Sequence, residues 1–256
     1  MRAAIVALAL AATLTAAQAG RSCEARPPEA ASVQKAMELA EKTQAELDAG
    51  GAQVVVLARS GQDLGKYGLR WSHLGLAYRD DGRWRVVHKL NQCGTAVSAI
   101  YRQGLGEFFL DDMFEYRAGI VVPSADVQAR LLPLLKDNAR VALLHTPAYS
   151  MVAYPWALTY QQSNQWAIET LALSQDAAAN SRAGAQAWLQ AKGYEPTTLH
   201  LSPLTRLGAR ITAANVAFDD HPSEKRFSDR IETATVDSVF TWLAKSGLAG
   251  NVQVVR

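Results

Sequence analysis

The chain has 256 residues, with 26 Lys plus Arg against 24 Asp plus Glu, and its formal charge of +2 excludes a polyanion-binding surface built from sheer charge. Hydrophobic residues make up 49% and charged residues 20%, with only 17 Gly and 9 Pro, which excludes a disordered, collagen-like or low-complexity chain. One domain of this size buries about 70 to 75% of its unfolded surface, so a sizeable core is within reach.

The first nineteen residues read as a secretory signal: Met1-Arg2 is a short basic start, Ala3 to Ala17 is apolar, and Ala17-Gln18-Ala19 is a small-x-small cleavage site. Gly20-Arg21-Ser22 before Cys23 does not form a lipoprotein box, which favours a soluble periplasmic or secreted product. No later run approaches the roughly 20 apolar residues of a membrane span, so none is expected. In an oxidising compartment the two cysteines, Cys23 and Cys93, read as one disulfide. The alternative is that Cys93 is a nucleophile, its pKa depressed at the start of a helix over Thr95 to Gln103.

Val33, Ala36, Met37, Ala40 and Leu47 recur at helical spacing after Ser32 and stop at Gly50-Gly51, predicting a capped amphipathic helix. Gln53 to Ala58 is β-branched and apolar, a buried strand. Ser72 to Tyr78 and Trp84 to Leu90 flank Asp80-Asp81-Gly82, the signature of a hairpin. A helix over Thr95 to Gln103, an aromatic-rich connection over Glu107 to Tyr116 and a strand over Ala118 to Val122 follow. Ser124 caps a further helix that Pro133 should kink or break.

Tyr149 to Tyr154 reads as a strand, and Ser163 to Leu173 and Ala183 to Lys192 as helices. Thr197 to Leu201 reads as a strand, and Pro203 to Ala213 and Asp237 to Lys245 as helices. With no repeat or linker in view, residues 20–256 are expected to form a single domain. Early strands joined by a tight turn favour α+β over a doubly wound sheet.

His73 and His88 stand on the two arms of the hairpin. If Asp81-Gly82 is a two-residue turn, Asp80 pairs with Arg83, Gly75 falls opposite His88, and His73 lies one diagonal step away on the same face, about 7 to 8 Å along the backbone. A one-residue slip would separate them, leaving two unrelated polar positions.

Ser72-His73-Leu74-Gly75-Leu76-Ala77 followed by Trp84-Arg85-Val86-Val87-His88 resembles the His-bearing hairpin of papain-like NlpC-type cysteine peptidases. In the circularly permuted branch of that superfamily the nucleophile follows the hairpin at the start of a helix. Tyr160-Gln161-Gln162-Ser163-Asn164-Gln165-Trp166 is similar in placement, with Ser163 where that branch has cysteine. The resemblance implies a papain-like antiparallel sheet packed against helices, with Ser163 as nucleophile, His73 as base and His88 as its orienter. The whole mature chain also resembles domain of unknown function 2145, a family with no assigned activity. A serine needs base and oxyanion site more than a thiolate does, and serine is also a preferred helix cap, so an active nucleophile and a retired site both stay open.

Asp219-Asp220-His221-Pro222 and Asp111-Asp112 are acidic pairs in loops that read as solvated turns rather than metal ligands. Trp71, Trp84, Trp156 and Trp166 lie close in sequence to the proposed site, as cleft walls for a sugar or peptide or simply as core. His145 and His200 have no partner in this reading. The expected function is a periplasmic hydrolase or acyl-transfer enzyme acting on an amide or ester of a small-molecule, peptide or cell-wall substrate. No cofactor, metal or nucleic acid is expected. The alternative is a non-catalytic binding module that keeps the cleft.

Overall fold

The computed structural model describes residues 27–111 and 113–256; the expected signal (residues 1–19), Cys23 and Asp112 lie outside them. The first helix, α1 (Ala30–Ala49), has Glu29 as its N-cap with no side-chain cap bond, three residues before the expected Ser32 cap, and ends at Gly50. Gly51 then takes a φ of 67°, which a glycine tolerates at no steric cost. Next come β1 (Val54–Ser60), β2 (His73–Asp80), β3 (Arg83–Asn91) and β4 (Ser98–Gly104), then the short α2 (Leu105–Phe109) and β5 (Glu115–Val121). The helices α3 (Ala125–Lys136), α4 (Asn138–Ala142), α5 (Ser163–Gln175) and α6 (Arg182–Ala191) follow. The chain closes with β6 (Thr197–His200), α7 (Pro203–Thr212), α8 (Ser223–Arg226), β7 (Arg230–Thr233), α9 (Val236–Lys245) and β8 (Gln253–Val255).

The architecture is mixed α+β. Six strands form one sheet in the order β4-β3-β2-β1-β5-β8, every pairing antiparallel, and β6 and β7 form a separate pair. All seven residues of β1 are buried because helices cover both faces of the sheet. Val54, Val56 and Ala58 point into a core shared with Leu131, Leu134, Trp166, Leu171 and Leu243, from α3, α5 and α9. Val55 and Leu57 alternate to the other face, where Leu39, Leu47, Phe108 and Phe109 of α1 and α2 cover them. A third, smaller cluster of Leu199, Leu201, Phe218 and Ile231 lies around the two-stranded sheet.

The hairpin has the register that the turn chemistry demands. Asp80 pairs with Arg83 and Leu76 with Val87, and Asp81 (φ 46°) and Gly82 (φ 77°) both adopt the positive φ of a type I′ turn. Elsewhere the structure departs from the local pattern. The segment expected as a helix over Thr95 to Gln103 is instead the edge strand β4, paired with β3 from Arg85↔Gly104 to Asn91↔Ser98. Its Val97, Ile100 and Tyr101 suit a pleated surface, and an open neighbour edge overrides a weak helical preference. A strand and not a helix therefore follows Cys93, so no helix dipole depresses the pKa of its thiol, contrary to the expectation for a nucleophile there.

Pro133 sits in the last turn of α3 without ending it; the interruption comes at Asp137, whose side chain caps α4 by accepting from Ala139 N and Arg140 N. The aromatic-rich connection over Glu107 to Tyr116 contains most of α2. Tyr149 to Tyr154 is irregular rather than a strand, held by an isolated bridge from Ala148 to Val97 and by Met151 N donating to Asn215 O.

Candidate functional site

The register brings the two histidines together. His73 Nε2 lies 2.8 Å from His88 Nδ1, and His88 Nε2 lies 2.7 Å from Gln103 Oε1 on β4. Gly75 makes this contact possible: a Cβ there would stand 2.6 Å from Val86 Cγ1 and 3.2 Å from His88 Cβ, crowding the ring that His73 must reach. Phe108 of α2 packs against both rings, at 6.0 Å from His73 and 5.2 Å from His88 between centroids. Arg59, opposite His73 in β1, donates to Phe108 O and pairs with the Asp111 carboxylate.

Burial, and after it the Arg59 charge, pushes His73 well below the ordinary imidazole range and His88 down to about 3. Both rings are therefore neutral near pH 7, and the direction of each bond follows. Gln103 Oε1 only accepts, so His88 Nε2 carries a hydrogen and His88 Nδ1 is an acceptor. His73 Nε2 must then be the donor, which leaves its Nδ1 as a lone pair with no partner among the described residues.

Ser163 is the first residue of α5, but it is not the cap. Gln162 is, its side chain accepting from Asn164 N at 2.8 Å. The Ser163 hydroxyl is buried and donates to the Tyr149 hydroxyl at 3.5 Å. Asn164 ties the helix start to the hairpin by accepting from Leu74 N at 3.3 Å, and its amide donates to Ala234 O at 3.0 Å. Burial raises the Tyr149 phenol above its usual value, so it stays protonated.

Ser163 and His73 border one cavity of about 850 Å³, together with Trp71, Tyr149 and Asn164. Among the described residues no hydrogen bond joins them. Leu74 and Leu76 face the core that contains α5, whereas the His73 and His88 rings stack on Phe108 on the other side. His73 meets the cavity because it is the first residue of β2, at the end of the sheet.

Behind Ser163 lies a polar network that sequence reasoning missed. Lys89, fully buried on β3, donates to Thr146 O at 2.6 Å and to Gln161 Oε1 at 2.8 Å. Gln161 in turn donates to Glu169, which pairs with Arg182 at 2.9 Å and accepts from Gln186 at 2.9 Å. Burial, reinforced by the Arg182 charge and opposed by Glu169, lowers Lys89 to about 7. The only sequence signals were a glutamate in the middle of an otherwise apolar helical run and a lysine in a strand.

The remaining candidates separate. Asp111 pairs with Arg59, Asp112 is outside the described residues, and Asp220 holds His221 Nδ1 at 2.9 Å in a buried pair. No cluster of metal ligands occurs among the described residues. Of the four tryptophans only Trp71 lines the cavity; Trp84 donates to Asp48 on the α1 side, Trp156 packs on Tyr194, and Trp166 is core. His145 lies 3.4 Å from Lys89 Nζ, and His200 lies 3.1 Å from Asp229.

These features define an α+β protein whose antiparallel sheet carries a histidine pair, His88 buried and His73 half-buried, beside an apolar cavity that Ser163 borders. The chain belongs to the bacterial family domain of unknown function 2145, described as "uncharacterized protein conserved in bacteria", whose model matches residues 46–243. No curated protein and no solved structure matches it. No helix among the described residues is long and apolar enough to cross a membrane.

Proposed function

We propose that this protein is a hydrolase or acyl-transfer enzyme that acts on an amide or ester through Ser163, His73 and His88, on a permuted papain-like NlpC-type scaffold. The observation that carries the reading is the relay from Gln103 through His88 to His73, which leaves an unprotonated nitrogen, His73 Nδ1, on a residue that shares a cavity with a helix-initial serine. In this mechanism Ser163 Oγ attacks the substrate carbonyl as its proton passes to His73 Nδ1, and His73 gives that proton to the leaving group as the carbonyl–heteroatom bond breaks; water or an acceptor, deprotonated by His73, then attacks the acyl-Ser163 ester and frees the hydroxyl. The partial positive charge at the start of α5 favours the developing oxyanion. His88 is the positioning residue that fixes the His73 tautomer. The order of elements, a His-bearing hairpin followed by the nucleophile's helix, supports the papain-like scaffold.

A second reading is a binding module that keeps the cleft without turnover. It is favoured by the Ser163 hydroxyl's bond to Tyr149 and by the Arg59 charge near His73, which makes an imidazolium costly. A serine-directed phosphonate separates the two: labelling at Ser163 supports the enzyme, and an unmodified protein supports the module. In the enzyme, Ser163→Ala abolishes hydrolysis of a p-nitrophenyl ester, His73→Ala lowers it by about 100-fold or more, and Ser163→Cys retains or raises it. An unchanged rate in Ser163→Ala removes Ser163 from the mechanism.

The protein is further proposed to be exported to the periplasm or beyond, on the strength of the Met1–Ala19 pattern, with Cys23 bridged to Cys93. Mass spectrometry of secreted material is expected to give an N-terminus at Gly20 and a mass two hydrogen atoms below the dithiol form. An intact Met1 or two alkylatable thiols would reverse this.

A further inference from the structure

The wall of the cavity identifies its ligand more narrowly than the serine does. Leu64, Leu69, Val152, Leu199, Val216 and Phe218 line it, and most of them belong to the small third core around the two-stranded sheet. Lys66 is the only ionic side chain on the lining, and its ammonium lies 4.8 Å from the Tyr67 ring centroid. The lining has no carboxylate among the described residues, and two of its three amides are already engaged, Gln162 donating to Thr233 Oγ1 and Ala234 O and Asn164 to Ala234 O, which disfavours a sugar or a charged peptide.

The apolar lining also continues out of the cavity. Leu204 and Ile211 of α7 border it, yet they are 81% and 75% exposed, and Leu207 extends the same stripe at helical spacing. A ten-residue helix turning large aliphatic side chains to water is unfavourable unless something apolar crosses there. The volume of about 850 Å³ lies within the range of small-molecule sites.

We propose that the cavity is an acyl-chain pocket: it takes the hydrocarbon chain of a long-chain ester or amide, with the carbonyl end at Ser163 and the α7 stripe as the mouth. An unbranched acyl chain is an apolar group that carries a reactive carbonyl at one end, which suits a lining that is largely aliphatic and aromatic and includes Ser163 and His73. The proposal rests on the reading that the Ser163 cavity is the functional site, and it narrows the substrate from amides and esters in general to those of long acyl groups.

The test uses the full mature chain carrying Ser163→Ala, so that binding is read without turnover. Fluorescence of cis-parinaric acid is expected to rise on binding, and octanoate, laurate and palmitate are expected to displace it with affinities that improve about three- to fourfold per methylene until the cavity is full. Ile211→Asp and Leu204→Asp replace side chains that are 75% and 81% exposed, and each is expected to weaken palmitate by about tenfold or more with the urea midpoint unchanged. Lack of parinarate binding, equal affinity for octanoate and palmitate, or no effect of both aspartates overturns the pocket.

The two readings then fail separately. Chain-length-dependent binding with no hydrolysis of p-nitrophenyl laurate by the unmutated protein leaves the pocket standing and removes the enzyme. Hydrolysis of p-nitrophenyl acetate, lost in Ser163→Ala, without any gain for longer chains leaves the enzyme standing and removes the pocket.

Discussion

Replacing Arg182 by Met is expected to lower the unfolding free energy by about 3–5 kcal/mol, the cost of leaving one member of a buried ion pair behind. Arg182 holds Glu169 through Nε at 2.9 Å and Nη2 at 3.3 Å, and Glu169 is completely buried. The same guanidinium donates to the carbonyls of Ala157 (3.1 Å), Leu158 (2.9 Å) and Tyr160 (3.1 Å), so it also fixes the loop that leads into α5. Without it Glu169 keeps only Gln161 and Gln186 as donors, and three carbonyls lose a charged partner. Burial already raises the Glu169 carboxyl against the pull of Arg182, so the single mutant sheds part of the cost by taking up a proton.

The double variant Arg182→Met/Glu169→Leu is expected to recover at least half of the loss, because no charge is then stranded. Urea unfolding followed by tryptophan fluorescence reads both. A loss below about 1 kcal/mol in Arg182→Met would show that this network does not hold the fold. In functional terms the same loop supplies Tyr149 and Gln161, so the single mutant is also expected to loosen the start of α5, where Ser163 stands.

The parts of the site that were legible in the sequence are those fixed by short-range rules. An Asp-Gly turn with strands of period two sets one register, and that register places His73 and His88 side by side without any knowledge of the rest of the chain. The start of α5 was legible from the spacing of Ala167, Ile168 and Leu171, although its cap is Gln162 and not the serine. Gln103 was not legible, because its segment reads as a helix until β3 offers it an edge.

Tyr149 lies in a run that reads as a strand, and it is long-range contacts, the Ala148–Val97 bridge, Tyr149 N to Ala96 O and Met151 N to Asn215 O, that hold the segment whose hydroxyl faces Ser163. The network of Lys89, Gln161, Glu169 and Arg182 joins residues up to 93 positions apart (182 minus 89), and no local pattern pairs them. The cavity is a product of the same long-range closure, with one wall from residues 62–73 and another from 199–218.

Stability is expected to fall as the pH drops below about 6.5, with a slope of up to about 1.4 kcal/mol per pH unit for each member of the histidine pair. His73 and His88 have folded pKa values depressed below the unfolded value of 6.5, so the unfolded chain takes up protons first as the solution is acidified. Stability therefore rises with pH across the window from the folded pKa to 6.5 and is flat above it so far as these groups decide. For His88 that window reaches down to about 3, which makes its contribution on the order of 5 kcal/mol if the native state stays populated that far.

His88→Gln keeps an acceptor for His73 and removes one titrating ring, so the acid limb is expected to become shallower by about half. At pH 7 the variant should lose about 1–2 kcal/mol, from the disturbed bond to Gln103 and the poorer packing on Phe108. Lys89 acts on the other side of neutrality. Its folded value of about 7 against 10.5 means that it disfavours folding most at and below pH 7 and least above 10.5, so Lys89→Met flattens the alkaline side and not the acid limb.

Urea midpoints of the three proteins between pH 4 and 9 separate these effects. An acid limb in His88→Gln as steep as that of the unmutated chain would mean that the histidine pair is not what titrates. If the limb does flatten, His73 Nδ1 remains an acceptor well below pH 6, and the serine hydrolase reading then requires activity to persist at acidities where an ordinary imidazole is already charged.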